Sequence, residues 1–159
     1  MKINLLLNNP KDIRSGYINV DPFAILDDPF GRQNGEPNNL DFLVDNNEAT
    51  EIIAHDILDR YTNQEVNEIL DHWLTKLAHG GKLVISMVDI REVSRAVISN
   101  SLPLDEVNRL LYGDQDHKVN FKKISLTLEY LTKLLESKGM QVLKKRISNF
   151  RAVVAARRT

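Results

Sequence analysis

Asp21 ends the stretch LLLNNPKDIRSGYINVDP, which reads as a strand, a tight loop, a second strand and an acid. Nucleotide-type cofactors sit across such a joint, where a carboxylate meets a vicinal diol. Further on, His55 and Asp56 follow the apolar run EIIA. An imidazole beside a carboxylate can take a proton from an oxygen or nitrogen nucleophile, and the same pair also reads as surface loop. Asp89 follows KLVISMV and precedes a helical stretch, so it is either a polar group at a pocket rim or a helix N-cap. His117, with Asp116 in the polar loop GDQDHKVNF, is a substrate-side candidate or an exposed loop residue. His55, Asp56, Asp116 and His117 lack metal-ligand spacing on one element, so no metal site is expected. The basic set Lys144, Lys145, Arg146, Arg151, Arg157 and Arg158 could meet phosphates. On an edge hairpin the same charges keep a strand from pairing with another chain. His72 and His79 fall on the polar side and at the end of a helix and read as solvated.

The elements that position these groups are legible as patterns. Strands are expected at 3–7, 17–20, 40–44, 51–55, 82–88, 140–147 and 149–156, the last two as a hairpin. INLLL and LVISMV read as buried on both faces, as in a parallel sheet. Val66, Ile69, Leu70, Trp73, Leu74 and Leu77 mark a helix over 63–79. Thr62 and Glu65 form its capping box, and Gly80 is its expected stop. A second helix is expected at 128–138, capped by Thr127 and ended by Gly139. Two short helices, 90–99 and 103–112, fall within an unusual insertion, 89–124. Residues 22–40 are rich in Pro, Gly, Asn and Asp and form a long irregular connection.

The chain has 159 residues, 42% hydrophobic and 27% charged, which fits one soluble domain spanning 1–159. Its net charge of −1 draws it to neither nucleic acid nor anionic membrane, so a nucleic-acid partner is not expected. The absence of cysteine removes disulfides and thiolate chemistry and suits a reducing, cytoplasmic setting. No apolar run approaches the roughly 20 residues that span a bilayer.

GYINVDP, ATEIIAHDILDRY, LTKLAHGGKLVISMVDI and LEYLTKLLESKGMQVLKK together resemble a small class I S-adenosylmethionine-dependent methyltransferase over nearly the whole chain. The resemblance implies a three-layer, Rossmann-like α/β fold. Its seven-stranded, mostly parallel sheet runs in the order 3-2-1-4-5-7-6 with only the last strand antiparallel. In this chain the helix layer is reduced on one face. It also implies S-adenosylmethionine as cofactor and a small-molecule or sugar-like methyl acceptor. Asn8, Asn9 and Gly16 would line the first loop, Asp21 the ribose, Asp41 and Leu43 the adenine, and Ala54 the sulfonium. His55 and Asp56 would be the catalytic candidates, Asp89 and His117 would face the acceptor, and the insertion would be a lid. The family's glycines fall on Asn8 and Pro10. Asn tolerates left-handed backbone, whereas Pro has neither an N–H nor a free φ. Two functions therefore stand open: a methyltransferase, or a fold relative that has lost the cofactor and serves as a binding or assembly module. The missing helices predict an apolar sheet face, and hence a homodimer with Phe23, Ile25 and Leu26 at the contact.

Overall fold

A computed structural model describes residues 1–159. Six strands form one sheet: β1 (Lys2–Leu5), β2 (Ile18–Val20), β3 (Ala49–His55), β4 (Leu77–Val88), β5 (Met140–Ser148) and β6 (Arg151–Arg158). Their order is β2-β1-β3-β4-β6-β5. The first four are parallel, and β6 runs antiparallel to both of its neighbours. This is the expected order with its first place left empty. Helices are α1 (Asn63–Lys76), α2 (Ile90–Ile98), α3 (Leu104–Tyr112) and α4 (Leu128–Ser137). No helix is long and apolar enough to cross a membrane.

The empty place belongs to 40–44, which is a turn and not a strand. The amides of Leu43 and Val44 both donate to the Leu40 carbonyl, so LDFLV closes a single helical turn. Its apolar residues recur at spacings of three and four, which sends Leu40 and Val44 into one core with Trp73 of α1. Trp73 Nε1 donates to the Pro37 carbonyl (2.8 Å), and the Leu40 amide donates to His72 Nε2 (2.8 Å). His72 is thus a half-buried acceptor, not a solvated side chain. Beside β2, Gln33 alone fills the missing strand's position, exchanging backbone hydrogen bonds with Asn19 and Asp21.

Strand alternation decides the two faces of the sheet. Ile52 and Ala54 of β3, Leu83, Ile85 and Met87 of β4, and Val154 and Ala156 of β6 are fully buried. They pack with Leu70 and Trp73 of α1 and with Leu131 and Leu135 of α4 in one cluster. The alternate positions carry Glu51, Ile53 and His55, then Lys82, Val84 and Ser86, then Arg151 and Val153. No helix covers this second face. At its β1–β2 corner a single turn, Pro10–Asp12, lies over Asn4, whose amide donates to the Asp12 carbonyl (2.8 Å) and to Asn19 (2.8 Å). Burial on both faces holds for residues 3–6 and, apart from part-exposed Val84, for 83–88, but the helix-free side of these strands carries polar side chains, Asn4 and Ser86, with exposed Lys82 beside them. That face mixes polar and charged groups with Ile53, Val84 and Val153, and so differs from the continuous apolar patch expected.

Two boundaries also move. The Thr62 capping box starts α1 as expected, but the helix ends at Lys76. Leu77, fully buried, enters the sheet opposite Ala49, and Gly80 (φ +76°) serves a bulge instead of a helix stop. The β5–β6 hairpin turns through Asn149 and Phe150, both at positive φ (48° and 63°), the geometry that matches strand twist. The Phe150 ring packs on a small second core of Val88, Val93, Val107 and Leu110, which roots α2 and α3.

Candidate functional site

Asp21 follows β2 and turns into the sheet's C-terminal edge, where its carboxylate is completely enclosed. Oδ1 accepts the backbone amides of Asn8 (3.0 Å) and Phe23 (2.9 Å), and Oδ2 accepts Arg32 Nη1 (2.9 Å). The two side chains are 0% and 7% exposed, for Asp21 and Arg32 respectively. Arg32 is held from behind by Asp28, through Nε (3.0 Å) and Nη2 (2.9 Å). The hydrogen bonds from Arg32 lower the Asp28 carboxyl to about 2. A carboxylate accepting charged and backbone donors at once is strongly fixed.

Asn8 adopts left-handed backbone (φ 53°), as its side chain permits. Its Nδ2 lies 3.0 Å from His117 Nε2, and the His117 ring lies 5.3 Å from that of Phe23. The insertion thus reaches across the C-terminal edge and sets His117 against the first loop. Arg60 holds it there by donating to the Val119 carbonyl (2.6 Å) and to Asn120 Oδ1 (2.9 Å). Lys122 adds an ion pair with buried Asp59 (3.1 Å). Asp116 is tied to Asn120 within the loop. Asn9 donates to Asp12 Oδ2 (2.8 Å) beside the Pro10 turn, and Gly16 (φ +79°) only turns the chain toward β2.

The other expected residues are dispersed. Asp89 caps α2, accepting the Arg91 (2.8 Å) and Glu92 (3.2 Å) amides, and its second oxygen accepts the Leu128 amide at the start of α4 (2.8 Å). Both oxygens are engaged and the residue is buried, so Asp89 serves to join two helix starts. Ala54 faces the helix-side core. Leu43 packs against the same core, and Asp41 is a surface partner of Lys76 (2.7 Å). His55 and Asp56 do come together, at 3.6 Å between Nε2 and Oδ2, but on the helix-free face. There Arg151 Nε donates a bifurcated bond to both Asp56 oxygens (3.0 Å each), Arg151 Nη2 lies 2.9 Å from Oδ2, and His55 Nδ1 meets Ser86 Oγ. Burial pushes the Asp56 carboxyl up, yet the Arg151 bonds and the charges of His55, Arg151 and Lys122 outweigh it and hold the group ionised below its ordinary range. So engaged, Asp56 is a poor general base.

His55 and Ser86 line a groove of about 560 Å³ across the helix-free face. Its floor is Ile53, Val84 and Val153, and Arg14, Tyr17, Arg146 and Asn149 also line it. Tyr17 Oη donates to Glu51 Oε2 (2.6 Å), and Lys82 Nζ lies 3.5 Å from Glu51 Oε1. That hydrogen bond to Glu51, helped by burial, raises the Tyr17 hydroxyl's pKa. None of Arg14, Tyr17, Glu51, Lys82 or Ser86 stood out in the sequence. The signal was a period of two, Glu-x-Ile-x-His and Lys-x-Val-x-Ser, hidden inside runs that looked uniformly apolar. Arg32 was likewise legible only as the fourth residue after Asp28 in DPFGR.

No protein-family model and no curated protein sequence matches the chain. Solved structures do. A Methanosarcina mazei SAM-dependent methyltransferase aligns with a TM-score of 0.64 at 10% identity, over 98% of this chain and 91% of its own. A Burkholderia thailandensis 1,6-didemethyltoxoflavin-N1-methyltransferase, with its substrate and S-adenosylhomocysteine bound, aligns at 0.62 and 12% identity, over 99% and 72%. Human N-acetylserotonin methyltransferase in complex with SAM aligns at 0.61 and 15%, over 98% of this chain and 47% of its own. The chain therefore has the class I methyltransferase fold, with six strands in place of seven. S-adenosylmethionine is the cofactor this fold implies, and the residues in its expected place do not fit it. Arg32 and two amides occupy the acid meant for the ribose, the Asn8 amide is turned to Asp21, and Pro10 has no N–H to offer.

Proposed function

We propose that this protein is a binding module built on the methyltransferase fold, which works without S-adenosylmethionine and presents the helix-free groove to its ligand. The enclosure of Asp21 by Arg32 carries this reading. Opening that corner for a ribose means separating a buried ion pair and taking from the guanidinium one of its two carboxylate partners, a cost of about 1–3 kcal/mol. A thermal-shift titration tests it. A cofactor site with a Kd of about 10 μM would gain about 2.7 kcal/mol of stability at 1 mM S-adenosylhomocysteine. That is a rise of several degrees in Tm for a domain of this size. The expected rise is none.

A second reading, S-adenosylmethionine-dependent methylation of a small-molecule or sugar-like acceptor, is favoured by one observation: Asp21 keeps the family's acid at the end of β2. It requires Arg32 to leave Asp21. A clear rise in Tm with S-adenosylhomocysteine would select it.

A further inference from the structure

We infer that the helix-free groove is a binding site for a phosphorylated sugar, either free or as the ribose phosphate of a nucleotide. The inference rests on the reading that this groove is the ligand surface.

Strand register arranges the floor in rows. Glu51, Lys82 and Arg157 lie side by side, then Ile53, Val84 and Ala155, then His55, Ser86 and Val153 with Arg146 beside them. Successive rows on one face are two residues, about 7 Å, apart. Within the groove the aliphatic pair Ile53 and Val84 therefore lies between a row carrying Lys82 with Glu51 and a row ending at Arg146, a spacing that admits one sugar ring. Arg14 lines the groove from the β1–β2 connection and Arg146 from the hairpin side. Neither guanidinium has an ion-pair or hydrogen-bond partner within the chain, whereas Arg151 is taken up by Asp56 and Lys82 is shared with Glu51. Unpaired arginines on both sides of one groove suit a phosphate, whose oxygens the planar guanidinium fork engages in pairs.

Glu51 narrows the class further. A carboxylate inside a cationic groove disfavours a bare anion but accepts hydroxyl donors, and Tyr17 holds it in place. A phosphate attached to a polyol satisfies both demands. A nucleic-acid strand suits the groove less well. Its rings are one phenol, Tyr17, and one imidazole, His55, at opposite borders of the aliphatic pair, where strand binders stack successive bases on a run of aromatics. A volume of about 560 Å³ falls in the small-molecule range, and the chain's net charge of −1 opposes a long polyanion.

The test is calorimetry on the full chain at low salt with ribose 5-phosphate, adenosine monophosphate, adenosine and a short single-stranded RNA, alongside Arg146→Gln and Arg14→Gln. Both side chains are exposed, so the variants should fold, and an unchanged Tm verifies it. Ribose 5-phosphate and the monophosphate should bind while adenosine does not, and each variant should weaken binding at least tenfold. Equal affinity for the two phosphates identifies the free sugar phosphate as the source. Tighter binding of the monophosphate identifies the nucleotide. No binding of either at millimolar concentration overturns the inference, as does unchanged affinity in both variants or binding of the RNA alone. S-adenosylhomocysteine titrated in parallel separates the two claims. Silence there with no phosphate binding sinks only this inference, and binding there sinks the reading beneath it.

Discussion

Asp21 is the residue on which function turns, and its environment makes a specific demand. In an open cofactor site, Asp21→Asn would cost ligand affinity and little else. Here it strips Arg32 of one of its two buried carboxylate partners, and with Asp28 still in place that loss is expected to cost about 1–3 kcal/mol. Urea unfolding is expected to show that loss, and a loss below about 1 kcal/mol would mean that the pair is not holding the corner. Two further residues set a pH profile. Burial lowers the His72 pKa, and the neutral ring accepts the Leu40 amide. Its contribution is full above the unfolded value of about 6.5 and is lost as pH falls through the depressed folded value. Asp28, held at about 2, contributes above the unfolded value of about 4 and fails between there and about 2. Tm should therefore fall in two stages on acidification, and His72→Gln should remove the upper one. Asp21 was legible in the sequence as an acid at a strand end. Its partner was not, because an arginine eleven residues away inside a loop carries no periodic signal.

At the scale of elements, the segment from Gly113 to Lys122 closes the C-terminal edge. Gly113 has φ +81°, and a Cβ there would lie within 1.9 Å of the Asn120 carbonyl oxygen. With ψ 175° this is an essentially glycine-only conformation, which costs any other residue about 1–3 kcal/mol. The backbone clash adds to that, because Gln115 and Asn120 are tied by their own hydrogen bond (3.1 Å). Gly113→Ala is expected to loosen this segment while leaving the sheet intact. Hydrogen exchange should then speed up at Gln115, Lys122 and Lys123 and stay slow in β3 and β4. The elements that could be read in advance were those with local signals: the capping box of α1, the Thr127 cap of α4 and the short hairpin. The turn at 40–44 was misread as a strand because five residues satisfy either period, and only contact with Trp73 decides between them. The Gly80 stop failed for a similar reason, since the sheet claims Leu77 before the helix can use the glycine.

For the whole molecule, the expectation of a homodimer rested on an apolar sheet face, and that face is charged and open. Exposed apolar side chains are instead scattered: Ile25 (66%) and Leu26 (92%) at the tip of the 22–40 loop, and Ile98 (83%) and Leu104 (72%) on α2 and α3. The few side chains at the loop tip alone fall well short of the roughly 800 Å² per partner that a stable interface buries. Light scattering at micromolar concentration is expected to give the 18.2 kDa monomer. Twice that mass would put Phe23, Ile25 and Leu26 at the contact, and Leu26→Ser should then dissolve it. The same openness separates charge. Lys2, Arg14, Lys82, Arg146 and Arg157 share one face with Glu51, while the chain as a whole is −1. Net charge hides such segregation, which is why the composition pointed to no anionic ligand.

Closure of the Asp21 corner by Arg32 is what sets this chain apart from a working cofactor site. Isothermal titration of the wild-type chain with S-adenosylhomocysteine, at neutral pH and up to millimolar ligand, measures that closure. The prediction is no heat beyond dilution. A saturable isotherm with a micromolar Kd would contradict it, since Arg32 would then have to yield Asp21 to a ribose.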